Sequence, residues 1–140
     1  DNESADHVLR RLEVVADGLI ERSVRVGAGN NTVADLNVGG GLALLADKVF
    51  ASDASLAPLA TLPSVDGCAK LTGAGKVACQ SKLNFNQLSL FDAATFQPAG
   101  SFTYADAVSL SEWRLVPGSV GQVGMRWHGT FVVFTSNGLR

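Results

Sequence analysis

Short apolar segments separated by turn residues fill the second half of the chain, and they constrain its fold more than any other feature. Val123, Met125 and Trp127 alternate with other residues, which is the spacing of a β-strand whose two faces meet different surroundings. Similar segments begin at Leu83 and Phe85. Turn signals stand between the segments at 98–100, 117–118 and 128–129. This arrangement predicts a small antiparallel β-sandwich or barrel.

The N-terminal segment has a longer period and predicts a helix over residues 4–22. Ser4 can cap it, and Asp6 lies in the first turn, where the helix dipole favours an acid. Four apolar residues follow at alternating spacings of four and three, namely Val8, Leu12, Val15 and Leu19. This is the core pattern of a coiled coil, and valine at every second core position disfavours a dimer and favours a trimer or tetramer. The pattern spans about two heptads, and Gly18 costs about 1 kcal/mol in a helix interior. The alternative is an amphipathic helix that packs on the domain's own core.

Together these patterns predict an α+β class that is mostly β. A coiled-coil helical stalk over 1–22 leads into a β-rich connector over 23–50 and a β-rich distal domain over 51–140. Within the distal domain, residues 51–66 show too little alternation for a regular strand. No repeat of fixed period is visible along the chain.

Composition excludes several classes of protein. Hydrophobic residues make up 46% and charged residues 17% of the 140 residues, which rules out a disordered chain. A net charge of −2 argues against a nucleic-acid partner. The longest stretches without a charged residue span thirteen residues, whereas a membrane-spanning helix needs about 20, so no membrane span is expected.

The two cysteines, Cys68 and Cys79, lie eleven positions apart in a glycine-rich stretch that reads as a bent excursion. In an oxidising compartment a disulfide between them would close a short loop. In a reducing compartment they would remain free thiols. The pair matches neither a CxxC redox motif nor a four-ligand zinc pattern.

Residues that could carry chemistry are sparse. His7 and His128 are the only histidines, and neither has a partner at the spacing of metal ligands. The segment 73–76 resembles the end of a phosphate loop, but Val77 stands where a serine or threonine would hold magnesium. The sequence therefore predicts a protein that is not an enzyme and has no catalytic residues, metal or cofactor.

The apolar phrase Leu-Ala-Asp-Lys-Val-Phe at 45–50 and the segment 11–18 carry a resemblance to a known family. Residues 9–50, about a third of the chain, resemble the C-terminal part of tail-tip and central-fibre proteins of long-tailed bacteriophages. The resemblance implies a homotrimer with helices on the threefold axis, followed by β-domains. It also implies a non-enzymatic structural protein of the virion tail, with other tail proteins and a host-cell receptor as partners.

Two other functions remain open at this point. One is a pilin-like or other extracytoplasmic adhesion domain on the bacterial surface, with an amphipathic helix and a β-rich head. The other is a small carbohydrate-binding module, in which aromatic side chains would form a platform for sugars.

If the helix is a stalk, the receptor-facing end lies in residues 51–140, and recognition concentrates on the loops between its strands. The candidate loops cover 68–79, 97–100 and 117–122, which carry few large side chains and are expected to add little to a core. Four residues on these loops are the candidates for receptor binding: Lys70, Lys76, Gln97 and Gln122.

Overall fold

The computed structural model describes residues 8–26, 36–71, 73–104, 114–127 and 130–135, and every regular element in these ranges is a β-strand. The strands are β1 (Val8–Val15), β2 (Gly18–Val26), β3 (Leu36–Gly39), β4 (Leu42–Leu45), β5 (Lys48–Ala51), β6 (Pro58–Thr61), β7 (Val65–Leu71), β8 (Lys76–Ser81), β9 (Gln87–Asp92), β10 (Pro98–Thr103), β11 (Arg114–Pro117), β12 (Gln122–Trp127) and β13 (Thr130–Thr135). Each pairing between them is antiparallel and joins strands that follow one another in the chain. The described part has no helix that could cross a membrane.

The predicted N-terminal helix is wrong, and the α+β class and the coiled-coil stalk are wrong with it. The segment forms an antiparallel hairpin of β1 and β2, which we call the arm. Leu12 and Leu19 are 51% and 65% exposed, Val15 is half-buried, and the side chain of Val8 lies outside the described part. Because strand residues alternate between faces, Leu12 and Val15 point to opposite sides and cannot belong to one stripe.

The residues at the tip of the arm explain this outcome. Val15 pairs with Gly18 across a two-residue turn of Ala16 and Asp17. Gly18 has a φ of 139°, which side chains other than hydrogen rarely allow. Gly18, which would weaken a helix, therefore lets the backbone return from the turn into β2. The β-branched residues on both sides of the turn favour strands. The predicted helix start at 4–7 lies outside the described residues.

The remaining strands form three sheets, each a simple meander. Sheet I contains β3–β6, sheet II has the order β10-β9-β8-β7, and sheet III contains β11–β13. The expectation of no regular strand in 51–66 is wrong, because β6 and the first residues of β7 lie there. Leu83 and Phe85, predicted to lie in a strand, belong to the exposed loop between β8 and β9.

Sheet II lies between the other two sheets, and its strands β7, β8 and β9 are covered on both faces, whereas β10 is mostly exposed. On one face Val77 and Phe91 pack against Leu44 and Val49 of sheet I. On the other face the side chains of sheet II pack against sheet III, in a cluster of Ala69, Leu71, Ala78, Leu88 and Leu90 with Leu115, Val123, Met125 and Phe134. Successive residues of one strand therefore enter different cores, and β8 is buried continuously from residue 77 to 81.

Cys68 and Cys79 are joined by a disulfide between β7 and β8. They are direct partners in the register of the two strands, with their Cα atoms 4.1 Å apart, and both are buried. The segment 68–79 is thus a hairpin at the centre of the core. The expectation that it adds little to a core is wrong for its strands, whereas its turn at 73–75 lies near the surface.

A buried polar contact lies at the edge of the core between sheets II and III. Gln80 is fully buried, and the Tyr104 hydroxyl lies 2.7 Å from its Oε1 and 3.0 Å from the Phe85 carbonyl oxygen. The ring of Tyr104 packs against Phe134, with 5.5 Å between the centroids. Removal from solvent raises the pKa of Tyr104 to about 12, because the phenolate loses its hydration.

Removal of the disulfide tests how much the central hairpin depends on it. The double substitution Cys68→Ala and Cys79→Ala should lower the free energy of unfolding by about 3 kcal/mol, because the bridge restricts the unfolded chain. Urea unfolding with and without a reductant measures this. The wild-type midpoint should fall on reduction, and the double variant should not respond. A wild-type midpoint that ignores the reductant would contradict the expectation.

Tyr104 is the chain's single tyrosine, so its ionisation can be followed directly. Phenolate absorbance should titrate near pH 12 in the folded protein and near about pH 10 in denaturant. Because the folded state favours the neutral phenol, its stabilisation is complete below pH 10 and is lost as the pH rises toward 12. Tyr104→Phe should remove this part of the alkaline destabilisation. A folded-state midpoint near 10 would refute the buried hydroxyl.

Candidate functional site

Four turns between neighbouring strands meet at one end of the sheets, and we call them the turn cluster: residues 39–41, 73–75, 93–97 and 118–121. The amide of Ala93 donates to the carbonyl oxygen of Gly75 at 2.8 Å, which joins the second and third turns. A Cβ at Gly73 would lie only 2.7 Å from Val120, so the fourth turn touches the second. The cluster is therefore one continuous surface formed by three sheets.

A cleft of 160 Å³ opens beside the turn cluster, between the three sheets. Its wall is mostly apolar and includes Val38, Leu44 and Pro117. Asn37 forms the polar junction of the cleft, because its Nδ2 donates to the carbonyl oxygens of Cys68 at 2.9 Å and Leu115 at 3.0 Å. This one amide group thus connects β3, β7 and β11, one strand from each sheet.

Lys70 is the titratable residue of the cleft lining. Its Nζ donates to the carbonyl oxygen of Gly40 at 2.6 Å. Gly40 has a φ of 54°, and any Cβ there would overlap the Lys70 side chain, so glycine is needed both for the turn and for this approach. An ammonium has three donors, and the two that remain can serve an acceptor or an anionic group of a ligand.

The four residues predicted to bind a receptor all lie at this end of the molecule. Lys70 lines the cleft, and Lys76 begins β8 opposite Asp92. Gln97 closes the 93–97 turn, and its carbonyl oxygen accepts from the amide of Asp92 at 2.9 Å. Gln122 begins β12, and its Oε1 accepts from the Ser119 hydroxyl. The meander order brings these residues to one end, although their receptor-binding role stays a prediction.

A side-chain carboxylate braces the 93–97 turn. Asp92 Oδ1 accepts from the amides of Ala94 at 3.0 Å and Thr95 at 2.8 Å, and from the Thr95 hydroxyl at 3.0 Å. These hydrogen bonds, with the Thr95 amide first, hold the pKa of Asp92 below its usual value. A turn fixed in this way loses less conformational entropy when it binds a partner.

The arm is the second candidate surface, and its apolar side chains are exposed. Leu12 and Val14 lie on one face of β1, and Leu19 is the cross-strand partner of Val14 on that face. Val14 is 81% exposed, and Ile20 on the opposite face is 42% exposed. Apolar side chains are therefore exposed on both faces of this hairpin, which makes the arm a candidate contact surface.

Ion pairs contribute little to the arm's stability. Arg10 pairs with Glu21, and Arg22 pairs with Glu13, with all four side chains between 41% and 58% exposed. Exposed pairs of this kind contribute at most about 1 kcal/mol each. Within the described ranges, β1 and β2 pair only with each other, and an isolated two-stranded hairpin is marginally stable in water.

The base of the arm rests on sheet I. Leu9 is buried there in a cluster with Ala43, Leu45, Phe50 and Leu56. Beside this contact lies a groove of 210 Å³, which we call the arm-base groove. Its lining includes Arg11, Leu12, Leu36 and Val38. Leu36 and Val38 are exposed, so the groove continues the apolar surface of the arm.

Sequence reasoning missed several of these residues. Asn37 carries no local signal, because its partners lie on strands that are distant along the chain. Val14 and Ile20 were available from the sequence as alternating residues on either side of the Ala-Asp-Gly turn. His7, His128 and Trp113 lie outside the described residues.

The described residues include no group of three histidine, cysteine, aspartate or glutamate side chains placed to hold a metal ion. The cleft instead offers one ammonium and one amide against an apolar wall, a set suited to recognition of a polar group. Comparison with protein-family models, curated proteins and solved structures gave no match to this chain. The two candidate surfaces are therefore identified from the geometry of the described residues.

Asn37→Ala tests the junction of the three sheets. The substitution should lower the free energy of unfolding by about 1–3 kcal/mol, since it leaves two carbonyl oxygens without their donor. The matched control is Asn84→Ala, because the Nδ2 of Asn84 donates to Gln87 Oε1 on the surface. The control should change stability by less than about 0.5 kcal/mol. Equal losses in urea unfolding for the two variants would contradict the role given to Asn37.

Proposed function

We propose that this chain is a non-enzymatic structural and attachment protein. In this proposal the arm joins the chain to other chains, and the turn cluster faces a molecule on a target surface. The observation that carries it is the arm, a hairpin whose two faces both expose apolar side chains. Such a hairpin gains its missing burial when other chains cover it.

The proposed setting is the tail tip or central fibre of a long-tailed bacteriophage. The residues that carry the resemblance lie on hairpins, since 11–18 cover β1 and its turn and 45–50 lie in the β4–β5 hairpin. The partners are further copies of this chain, other tail proteins and a host-cell receptor, and the location is the virion tail. The resemblance implies three copies, which in this proposal associate through strands and not through a coiled coil.

The turn cluster is the proposed receptor-facing surface. Its loops project from a rigid scaffold of paired strands, which is where binding residues commonly lie. Lys70 is held in place by the Gly40 carbonyl oxygen and keeps donors for a ligand. Lys76 adds a second cation at the same end. We therefore propose a receptor that presents acceptor oxygens or negative charge.

Both alternatives have less support than this proposal. The pilin-like interpretation depends on an amphipathic helix, and residues 8–26 form strands. The carbohydrate-binding interpretation depends on an aromatic platform, and the described lining of the cleft contains no aromatic ring. Neither surface described above favours them.

The arm variant Val14→Asp tests the assembly role. The wild-type chain should have a mass by light scattering that is a multiple of 14.6 kDa, and Val14→Asp should shift it toward 14.6 kDa. A buried aspartate without a partner opposes association. Val120→Asp is the matched control, because Val14 and Val120 are 81% and 76% exposed and only Val14 lies on the arm. A wild-type mass of 14.6 kDa at every concentration would refute the assembly role.

The same proteins can be scored for adsorption to a panel of bacterial cells. Lys70→Glu should keep the wild-type mass and lose adsorption, whereas Val14→Asp should weaken adsorption because it removes multivalent binding. Adsorption that is unchanged in Lys70→Glu would refute the receptor-facing role of the turn cluster.

A further inference from the structure

Two segments thirty residues apart share one hairpin pattern. Residues 12–20 and 42–50 have identical residues at Leu12 and Leu42, Ala16 and Ala46, and Asp17 and Asp47. Apolar residues correspond at four more positions, pairing Val14 with Leu44, Val15 with Leu45, Leu19 with Val49, and Ile20 with Phe50. Both segments fold as antiparallel hairpins around the same two-residue Ala-Asp turn. The arm and the β4–β5 hairpin are therefore two versions of one element.

The second version is covered on both faces. Leu44 and Val49 pack against sheet II, and Leu45 and Phe50 pack on the other side in the cluster with Leu56. All four of these positions are less than a tenth exposed. A hairpin with this apolar pattern is thus buried from two sides when its neighbours are present.

The arm has the same apolar positions as the β4–β5 hairpin, but no neighbouring strand packs over those near its tip among the described residues. Val14 and Leu19 correspond to the buried Leu44 and Val49, yet they are 81% and 65% exposed. Among the described side chains of the arm, Leu9 at the base is the one that belongs to a buried cluster with other strands. The arm therefore shares the apolar positions of the covered hairpin, with exposed ion pairs beside them, and lacks a covering surface near its tip.

Two charged residues of the arm indicate what covers the apolar side chains near its tip. Asp17 lies exposed at the tip of the arm, and Arg11 lies at its base in the arm-base groove. Neither forms a salt bridge among the described residues. The hydroxyl and amide of Ser55, which donate to Oδ1 of Asp53, lower the pKa of Asp53 most, and the charge of Arg11 lowers it further. Six residues of strand separate Asp17 from Arg11 by about 20 Å, so the two cannot meet within one copy.

The arm-base groove also fits the tip in size and polarity. Its 210 Å³ exceeds the roughly 150 Å³ of a cavity that holds benzene, so it can take the side chain of Val14 or Leu19. Leu36 and Val38 on its wall are exposed and apolar. Each copy thus offers a tip with an acid and a groove with a base, and a net charge of −2 for the chain produces little repulsion between copies.

We infer that the arm of one copy docks its tip in the arm-base groove of a second copy, with Asp17 of the tip beside Arg11 of the groove. This inference rests on the proposed assembly role and names its partner and its contact. Tip and groove are different surfaces, so the contact closes as a reciprocal pair or as a ring of copies. The tip then receives the apolar cover that β4–β5 has within the chain.

A charge exchange in the full chain tests this contact. Asp17→Arg and Arg11→Asp should each raise the dissociation constant of the assembly by about fivefold or more, because each places like charges together. The double variant with both changes should return to within about twofold of the wild type. Sedimentation over a concentration series measures these constants, and urea unfolding verifies that each variant is folded. Lys82→Asp is the control at a lysine away from the arm and should change nothing.

The outcomes separate the inference from the proposed function. Loss of association in both single variants with recovery in the double variant supports the contact. Association that is unchanged in both single variants, or lost in the double variant as well, overturns the contact and leaves the assembly role standing. A wild-type chain that is monomeric throughout the series overturns both.

Discussion

Burial of sheet II on both faces is the constraint on which the rest of the structure depends. A strand such as β8, with every side chain from 77 to 81 buried, needs an apolar layer on each side, and sheets I and III supply these layers. The disulfide lies within the paired strands β7 and β8 and connects them directly. Asn37 then satisfies carbonyl oxygens of β7 and β11 where the three sheets meet, at a place where unpaired backbone groups would be costly.

This layering also determines where binding surfaces can form. The strands β7, β8 and β9 of sheet II belong to the core, so ligands have access to the turns at their ends and not to their faces. Those turns are braced by their own hydrogen bonds, as Asp92 shows for the 93–97 turn. The arm is a different type of surface. Leu9 at its base is buried against sheet I, and the apolar residues nearer its tip are exposed to solvent. One region thus offers fixed polar groups, and the other offers uncovered apolar area.

The two related hairpins show how surroundings give one pattern two roles. The β4–β5 hairpin packs against sheet II and is part of the core, whereas the corresponding apolar side chains of the arm are exposed. Both have apolar residues around an Ala-Asp turn, but the arm also carries charged residues, such as Glu13 where the second hairpin has Ala43. The local sequence and the surfaces near each hairpin therefore both contribute to the difference.

The sequence by itself determined the features that depend on near neighbours. Alternation placed Val123 and Met125 together on the inner face of β12. The spacing of Val8, Leu12, Val15 and Leu19 misled, because spacings of three and four also arise when two strands flank a short turn. Only the tertiary structure decided the packing of sheets I and III against sheet II, the burial of the 68–79 hairpin and the junction at Asn37. Those depend on contacts between residues far apart in the chain, such as Asn37 with Leu115, and local sequence patterns do not encode them.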